Sequence, residues 1–279
     1  MSVVLMSGEC QKTETKRDAH VPYYETQGCE CEVFEHCYHQ KLPLLIKGPT
    51  GCGKTRFVEH MAARVNRPLI TVSCHDDLSA ADLMGRFLIS KDETVWNDGP
   101  LTRALRLGAI LYLDEVVEAR KDTTVVLHPL ADDRRELTIE RTGEVLKAPD
   151  EFMLVISYNP GYQNLLKGLK PSTRQRFTAL TMAYPVAAVE RAILMREADA
   201  NEALASRLVQ LGQALRQLSE FDLEETVSTR LLVMAARLVR SGMNLPSACD
   251  CAVINALTDD LDTAQALRDV VYAVVGSKE

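Results

Sequence analysis

Short apolar runs alternate with amphipathic stretches over the first two thirds of the chain, and helical spacing alone fills the last third. The runs at 42–46, 69–74, 109–113, 152–157 and 177–182 have strand length and branched or aromatic character, which predicts strands buried in a sheet. Between them, 56–62, 101–107 and 117–130 repeat apolar residues at helical intervals, and Gly108 suits the end of the second of these helices. Segments 136–140 and 144–146 alternate apolar and polar positions around Arg141-Thr142-Gly143, a hairpin signal. Residues 82–88 and 96–100 bracket a piece that reads as irregular. Strands separated by helices predict a mostly parallel α/β sheet. After Pro185 the stretches 186–199, 201–219, 229–242, 247–258 and 263–275 are all helical in pattern, plainest in Leu204, Leu208, Leu211 and Leu215.

The stretch that carries chemistry follows the first predicted strand. Gly48-Pro49-Thr50-Gly51-Cys52-Gly53-Lys54-Thr55 reads G-x-x-x-x-G-K-T, and Arg56 continues it into a helix. Glycines there let backbone N–H groups turn inward around an anion, and the helix points its positive end at it. Lys54 is expected to reach the β- and γ-phosphates, and the Thr55 hydroxyl to ligate Mg²⁺. The expected cofactors are therefore a nucleoside triphosphate and Mg²⁺. Three parts follow: an N-terminal arm (1–40), an α/β nucleotide-binding domain (41–184) and a small all-α lid domain (185–279). Residues 1–20 are polar and mixed in charge, which predicts a flexible lead. The aromatic part of the arm, with Pro22, Tyr23 and Tyr24, is expected beside the nucleotide because it feeds into the loop's strand.

A second motif narrows the class. The run 109–113 delivers Asp114 and Glu115 at its end; the first can hold the Mg²⁺ shell and the second can orient an attacking water. An acidic helix start would look similar, since acids suit that end of a helix dipole. No N-K-x-D guanine-reading string is present. Asn159 stands at the end of another strand, placed to touch the γ-phosphate or the water, although an Asn before Pro also favours a turn. Arg174 and Arg176 precede the last strand, and Arg230 follows Ser228-Thr229 at a helix start. A solvated basic turn and a surface helix are the plainer readings of these arginines.

Composition changes the picture in three places. With 46% hydrophobic and 25% charged residues in a chain of 279, a sizeable core is affordable. A formal net charge of −7 argues against a sequence-independent grip on nucleic acid. The start shows no secretory signal, and no run approaches the roughly 18 apolar residues of a membrane helix, so a cytoplasmic protein is expected. The eight cysteines make no C-x-x-C pair. Cys29, Cys31 and Cys37, with His36 and His39, match no common zinc spacing and read as ordinary thiols.

Taken together, these placements resemble the AAA+ ATPases over about residues 21–245. The hairpin at 136–146 and the insert near 82–97 look like the MoxR branch. The strings Trp96-Asn97-Asp98-Gly99-Pro100-Leu101-Thr102-Arg103-Ala104, Leu113-Asp114-Glu115-Val116-Val117-Glu118-Ala119-Arg120 and Ser157-Tyr158-Asn159-Pro160-Gly161-Tyr162 are similar to the CbbQ/NorQ subfamily. The resemblance implies Asn159 as sensor 1, Arg176 (with Arg174 as second choice) as an arginine finger acting on a neighbouring subunit, and Arg230 as sensor 2. It implies a hexameric ring, a von Willebrand A-domain partner and a remodelled client. The client expected is Rubisco freed of tight-binding sugar phosphates, with nitric oxide reductase assembly as the alternative; no nucleic acid or membrane partner is expected. An ATP-gated scaffold without productive turnover and a DNA-handling ATPase are the readings of other classes. The segment 83–88 is a candidate pore or substrate-facing element, or an apolar helix end packed in the core.

Overall fold

Chain order in the computed structural model runs α1 (Glu30–His39), β1 (Leu44–Lys47), α2 (Lys54–Arg64), β2 (Leu69–Ser73), α3 (Ala80–Met84), β3 (Gly85–Ser90), β4 (Glu93–Asp98), α4 (Pro100–Leu107), β5 (Ile110–Asp114) and α5 (Lys121–Val126). Then come β6 (Glu136–Ile139), β7 (Glu144–Lys147), β8 (Met153–Tyr158), α6 (Pro171–Arg174) and β9 (Thr178–Thr181). The structure describes residues 21–90, 93–162, 169–218 and 226–276. The polar lead at 1–20, expected to be flexible, lies outside them.

Five strands form one sheet in the order β2-β5-β8-β1-β9, with every pairing parallel. Period-two alternation splits each central strand between two cores. Ile110 and Tyr112 of β5, Leu44 and Ile46 of β1, and Met153 and Val155 of β8 pack with Phe34 and Phe57 under α1 and α2. Leu111, Leu113, Leu45, Leu154 and Ile156 pack on the other face with Leu101 and Leu105 of α4. Burial on both faces is why β5 and β8 read as continuous apolar runs. The strands end in register, Ser73 opposite Asp114 and Lys47 opposite Tyr158. Their C-terminal edge is where ligands bind in open parallel sheets.

Four expectations need correcting. The run at 69–74 is not a buried strand: β2 stands at the sheet edge, and its residues are half-buried or exposed. The piece between 82 and 97 is not irregular, because β3 and β4 pair antiparallel from Gly85 opposite Asp98. Phe87, Leu88 and Ile89 are all exposed, so no buried face imposed an alternating signal. The predicted helix at 117–130 is broken into a 3₁₀ turn (Val116–Glu118), α5 and a second 3₁₀ turn (His128–Leu130). Ala119 is extended between the first two, and Pro129 sits in the last.

Beyond β9 lie α7 (Ala187–Glu197), α8 (Glu202–Gln217), α9 (Thr229–Arg240), α10 (Leu245–Cys249), α11 (Asn255–Leu257) and α12 (Leu261–Val275). The fourth correction falls here, since the helix expected at 247–258 carries a π-helical turn at Asp250–Ile254. Side-chain caps from Asn201, Ser228, Asn244 and Asp260 start four of these helices. Their apolar faces, with Leu208, Leu211, Leu232 and Leu267 fully buried, close a separate core. Among the described residues no helix is long and apolar enough to cross a membrane. Cys31 and Cys37 are buried in the core beside Phe34, whereas Cys29 is exposed. No three His, Cys, Asp or Glu gather as a metal group among the described residues.

Candidate active site

The octet 48–55 wraps the C-terminal end of β1 and opens α2, because Gly51 (φ 70°) and Gly53 (φ 103°) take left-handed conformations that a side chain would oppose. Lys54 is the first residue of α2 and nearly buried, and its Nζ donates to Gly48 O at 2.9 Å and Pro49 O at 3.2 Å. The same nitrogen lies 3.6 Å from Glu115 Oε1. Cys52 is buried in the loop, and burial pushes its thiol pKa up. That makes it a packing residue rather than a reactive one.

Two acids arrive from β5, two strands away from β1. Asp114 ends the strand, and Thr55 donates its hydroxyl to Asp114 Oδ2 at 3.1 Å. The other oxygen, Oδ1, accepts from Ser157 Oγ at 2.6 Å and from the Tyr112 hydroxyl at 2.8 Å. Glu115 turns off the strand with φ 53° and ψ 49°. A non-glycine residue there costs roughly 1–2 kcal/mol. The turn is held by its N–H, which donates to Ser157 Oγ at 3.3 Å. Its carboxylate points back at Lys54 and accepts the Asn159 N–H at 3.2 Å. Burial raises the pKa of Glu115; the Lys54 charge opposes that rise and the Asp114 charge adds to it.

Asn159 follows β8 and is buried. Its Nδ2 donates to Thr50 Oγ1 at 3.2 Å and its Oδ1 accepts the Gly161 N–H at 2.9 Å. The side chain thus makes the turn contact to Gly161 and, with its amide nitrogen, also reaches the loop. One Asn ties the phosphate loop to the backbone beside the acid. Lys54, Thr55, Asp114, Glu115 and Asn159, from three parts of the sequence, converge within hydrogen-bond or ion-pair distance.

A cleft of about 670 Å³ opens above this cluster, between the strand ends and the helices after β9. That is room for a nucleotide-sized ligand. Tyr23, Tyr24 and Arg56 line it on the loop side, with Arg230 and Met234 of α9 opposite. Tyr24 packs on Phe57 at 5.2 Å and on His60 at 5.7 Å, so the aromatic arm does lie against the cleft. Arg56 pairs at 3.7 Å with Glu59 and with Glu197 of α7. Arg230 is exposed to the cleft one residue inside α9, behind the Ser228 cap. Arg174 and Arg176 are elsewhere. Both sit at α6, away from this chain's own cleft, and Arg176 Nη1 donates to Ser172 O at 2.5 Å.

The donor set suits the implied metal. Thr55 Oγ1 and Asp114 Oδ2 are hard oxygen atoms 3.1 Å apart at the foot of the cleft, next to an anion-binding loop. Mg²⁺ is characteristically held by one or two such ligands together with phosphate oxygens. Sequence reasoning did not single out Tyr112, Ser157 or Tyr184. For Tyr112 a signal existed, since position i−2 on a strand shares a face with Asp114. Ser157 faces the same atom from β8, a cross-strand relation that no local pattern encodes.

Comparison with known proteins gives the same class. Residues 43–177 match the model of the AAA domain, dynein-related subfamily, and residues 190–274 match the CbbQ/NirQ/NorQ C-terminal model. The denitrification regulatory protein NirQ of Pseudomonas aeruginosa is 64% identical over 91% of this chain and 98% of its own. NorQ of Paracoccus denitrificans is 59% identical over 95% and 98%. CbbQ of Hydrogenophilus thermoluteolus is 53% identical over 88% and 92%. Among solved structures, a mutant of Thermotoga maritima RuvB superposes with a TM-score of 0.55, covering 91% of this chain and 74% of that one at 18% identity, a likeness of fold alone.

Proposed function

The chain belongs to the CbbQ/NirQ/NorQ family of AAA ATPases, on the MoxR branch, and from that premise we propose how its residues hydrolyse ATP and what the hydrolysis serves. Backbone N–H groups of 50–53 and Lys54 hold the β- and γ-phosphates, with Arg56 beside the loop. Thr55 and Asp114 would hold Mg²⁺, which supplies neutralising charge at the phosphate oxygens. Glu115 orients and polarises the water that attacks the γ-phosphorus in line with the departing ADP oxygen. Asn159 stands between that acid and Thr50, where the γ-phosphate is felt by both. Arg230 meets the phosphates from the lid side. Arg176, or Arg174 beside it, acts on the site of the next copy in a ring. Head-to-tail use of one residue repeats around a closed assembly, and a hexamer is the ring this family favours.

The observation that carries this reading is the convergence of Lys54, Thr55, Asp114 and Glu115 at one cleft, with buried Asn159 hydrogen-bonded to the Glu115 carboxylate. Glu115→Gln tests it. ATP binding is expected to persist while turnover falls about 10²-fold or more, the usual size of a general-base contribution. Turnover at the wild-type rate would refute the role of Glu115.

The work done is remodelling of a client enzyme with a von Willebrand A-domain partner. Two relatives named as denitrification regulatory proteins share more identity with this chain than CbbQ does, 64% and 63% against 53%, and NorQ stands between at 59%. The client we propose is therefore a denitrification enzyme of the nitric oxide reductase kind, rather than the Rubisco favoured by the motif strings alone. Inhibited Rubisco is the second reading, on the 53% identity to CbbQ. Both clients, incubated with ATP, the chain and its co-expressed partner, separate the two. Recovery of nitric oxide reduction that needs Lys54 supports the first, and recovery of carboxylation the second.

A further inference from the structure

Tyr184 and Arg216 connect the helical domain to the phosphate loop by a route the proposed chemistry does not use. Tyr184, shortly after β9, donates its hydroxyl to Thr50 O at 3.0 Å. The Arg216 guanidinium, from α8, lies over the same ring at 4.5 Å from its centre. Arg216 also makes a two-pronged pair with Glu190 of α7, at 2.9 and 2.6 Å. Its Nε donates to Val227 O at 2.7 Å, just before the Ser228 cap of α9. Glu190 is fully buried and accepts the Thr229 hydroxyl as well, at 2.6 Å. Helices α7, α8 and α9 thus meet on one guanidinium whose face rests on Tyr184.

The other end of the route is the loop itself. In a planar trans peptide, a carbonyl and the N–H that follows it point to opposite sides. A hydroxyl that holds the Thr50 carbonyl therefore sets the direction of the Gly51 N–H, one of the donors available to an anion. Asn159 holds the Thr50 side chain independently. A second contact joins the same parts. A Cβ on Gly51 would lie 2.5 Å from Ser228 Cβ, so α9's cap is seated directly on the loop. Loop shape and the seating of the helical domain constrain each other at two adjacent residues.

We propose that Tyr184, held by the Arg216–Glu190 pair, is a positioning residue that couples the seating of the helical domain to the loop's grip on the triphosphate. It rests on the reading of the cleft as the nucleotide site. In one seating the hydroxyl fixes the Thr50–Gly51 peptide; withdrawal of the ring with α8 frees that peptide and loosens the loop.

Titration of the purified chain with a fluorescent methylanthraniloyl-ATP and Mg²⁺ tests this, with Lys54→Ala as the control for the site. Tyr184→Phe keeps the ring and its cation contact but loses the hydroxyl. It is expected to raise Kd about 3- to 10-fold, the scale of one neutral hydrogen bond, with a fall in Tm of no more than a few degrees, about what the same bond contributes to the fold. The charge-free pair Glu190→Leu with Arg216→Met should weaken binding similarly, and adding Tyr184→Phe to it should cost nothing more. Nucleotide should slow amide exchange along 229–240 in the wild type and do so less in Tyr184→Phe, a readout that mere packing would not move. Unchanged Kd in Tyr184→Phe, or losses that multiply in the triple variant, would overturn the proposal. Should the charge-free pair fail to fold, exchange in Tyr184→Phe decides alone. Unchanged binding in Lys54→Ala overturns the site reading and the proposal together, whereas loss in Lys54→Ala with none in Tyr184→Phe overturns the proposal only.

Discussion

Gly51 illustrates how one position can be fixed by two unrelated demands. Its φ of 70° disfavours any side chain, and the Ser228 side chain occupies the space a Cβ would need. Gly51→Ala should therefore weaken nucleotide binding more than 10-fold and lower Tm by several degrees, read by titration and calorimetry, because strain and overpacking add. Glu115 makes a pH-dependent case. Its carboxyl pKa is raised in the nucleotide-free fold, chiefly by burial, so the folded state favours the protonated form. The ionised group then weakens the fold above the folded pKa, and that penalty vanishes as pH falls below the unfolded value. Glu115→Gln should raise the Tm of the nucleotide-free chain slightly at neutral pH, with the advantage shrinking on acidification. Much of this site was legible beforehand. Lys54, Thr55 and the two acids sit in motifs whose spacing is itself the chemistry. Tyr184, Glu190 and Arg216 were not, since nothing local marks a tyrosine that meets a loop 134 positions earlier in the sequence.

Elements were readable where one face is buried and unreadable where two are wet. The central strands β1, β5 and β8 and the amphipathic α8 and α9 have cores to face, and their patterns follow. The β3–β4 hairpin has little core behind it, and its apolar Phe87, Leu88 and Ile89 point outward on both faces, so it looked irregular. The segment after β5 was misjudged for another reason. Glu115's left-handed turn and Pro129 cut what periodicity alone would join. The helical domain also holds an element-scale test. Glu190 is fully buried against the Arg216 side chain, which is 13% exposed, so removing one partner strands the other charge. Glu190→Ala should cost about 3–5 kcal/mol in urea denaturation, whereas the double replacement by Leu and Met should cost far less.

At the scale of the whole molecule, the described residues divide the proposed machinery unevenly. Phosphate loop, acids and Arg230 line one cleft, with Asn159 hydrogen-bonded to Glu115 and Thr50, while Arg174 at the end of α6 and Arg176 just after it do not line the cleft. Mixing tests whether these arginines serve a neighbour. Lys54→Ala chains and Arg176→Ala chains should each be inactive alone, and mixed before assembly they should recover a measurable part of wild-type turnover. Recovery needs sites that combine one chain's loop with the other's arginine, and a role for Arg176 within its own chain would give none. That separation has a further consequence for any preparation of this protein. On the proposed reading, a molecule that carries the grip in its cleft and lends the trigger to a neighbour is only half an engine when alone. Its specific rate should climb with concentration and collapse on dilution, even while each solitary copy keeps its hold on the fuel.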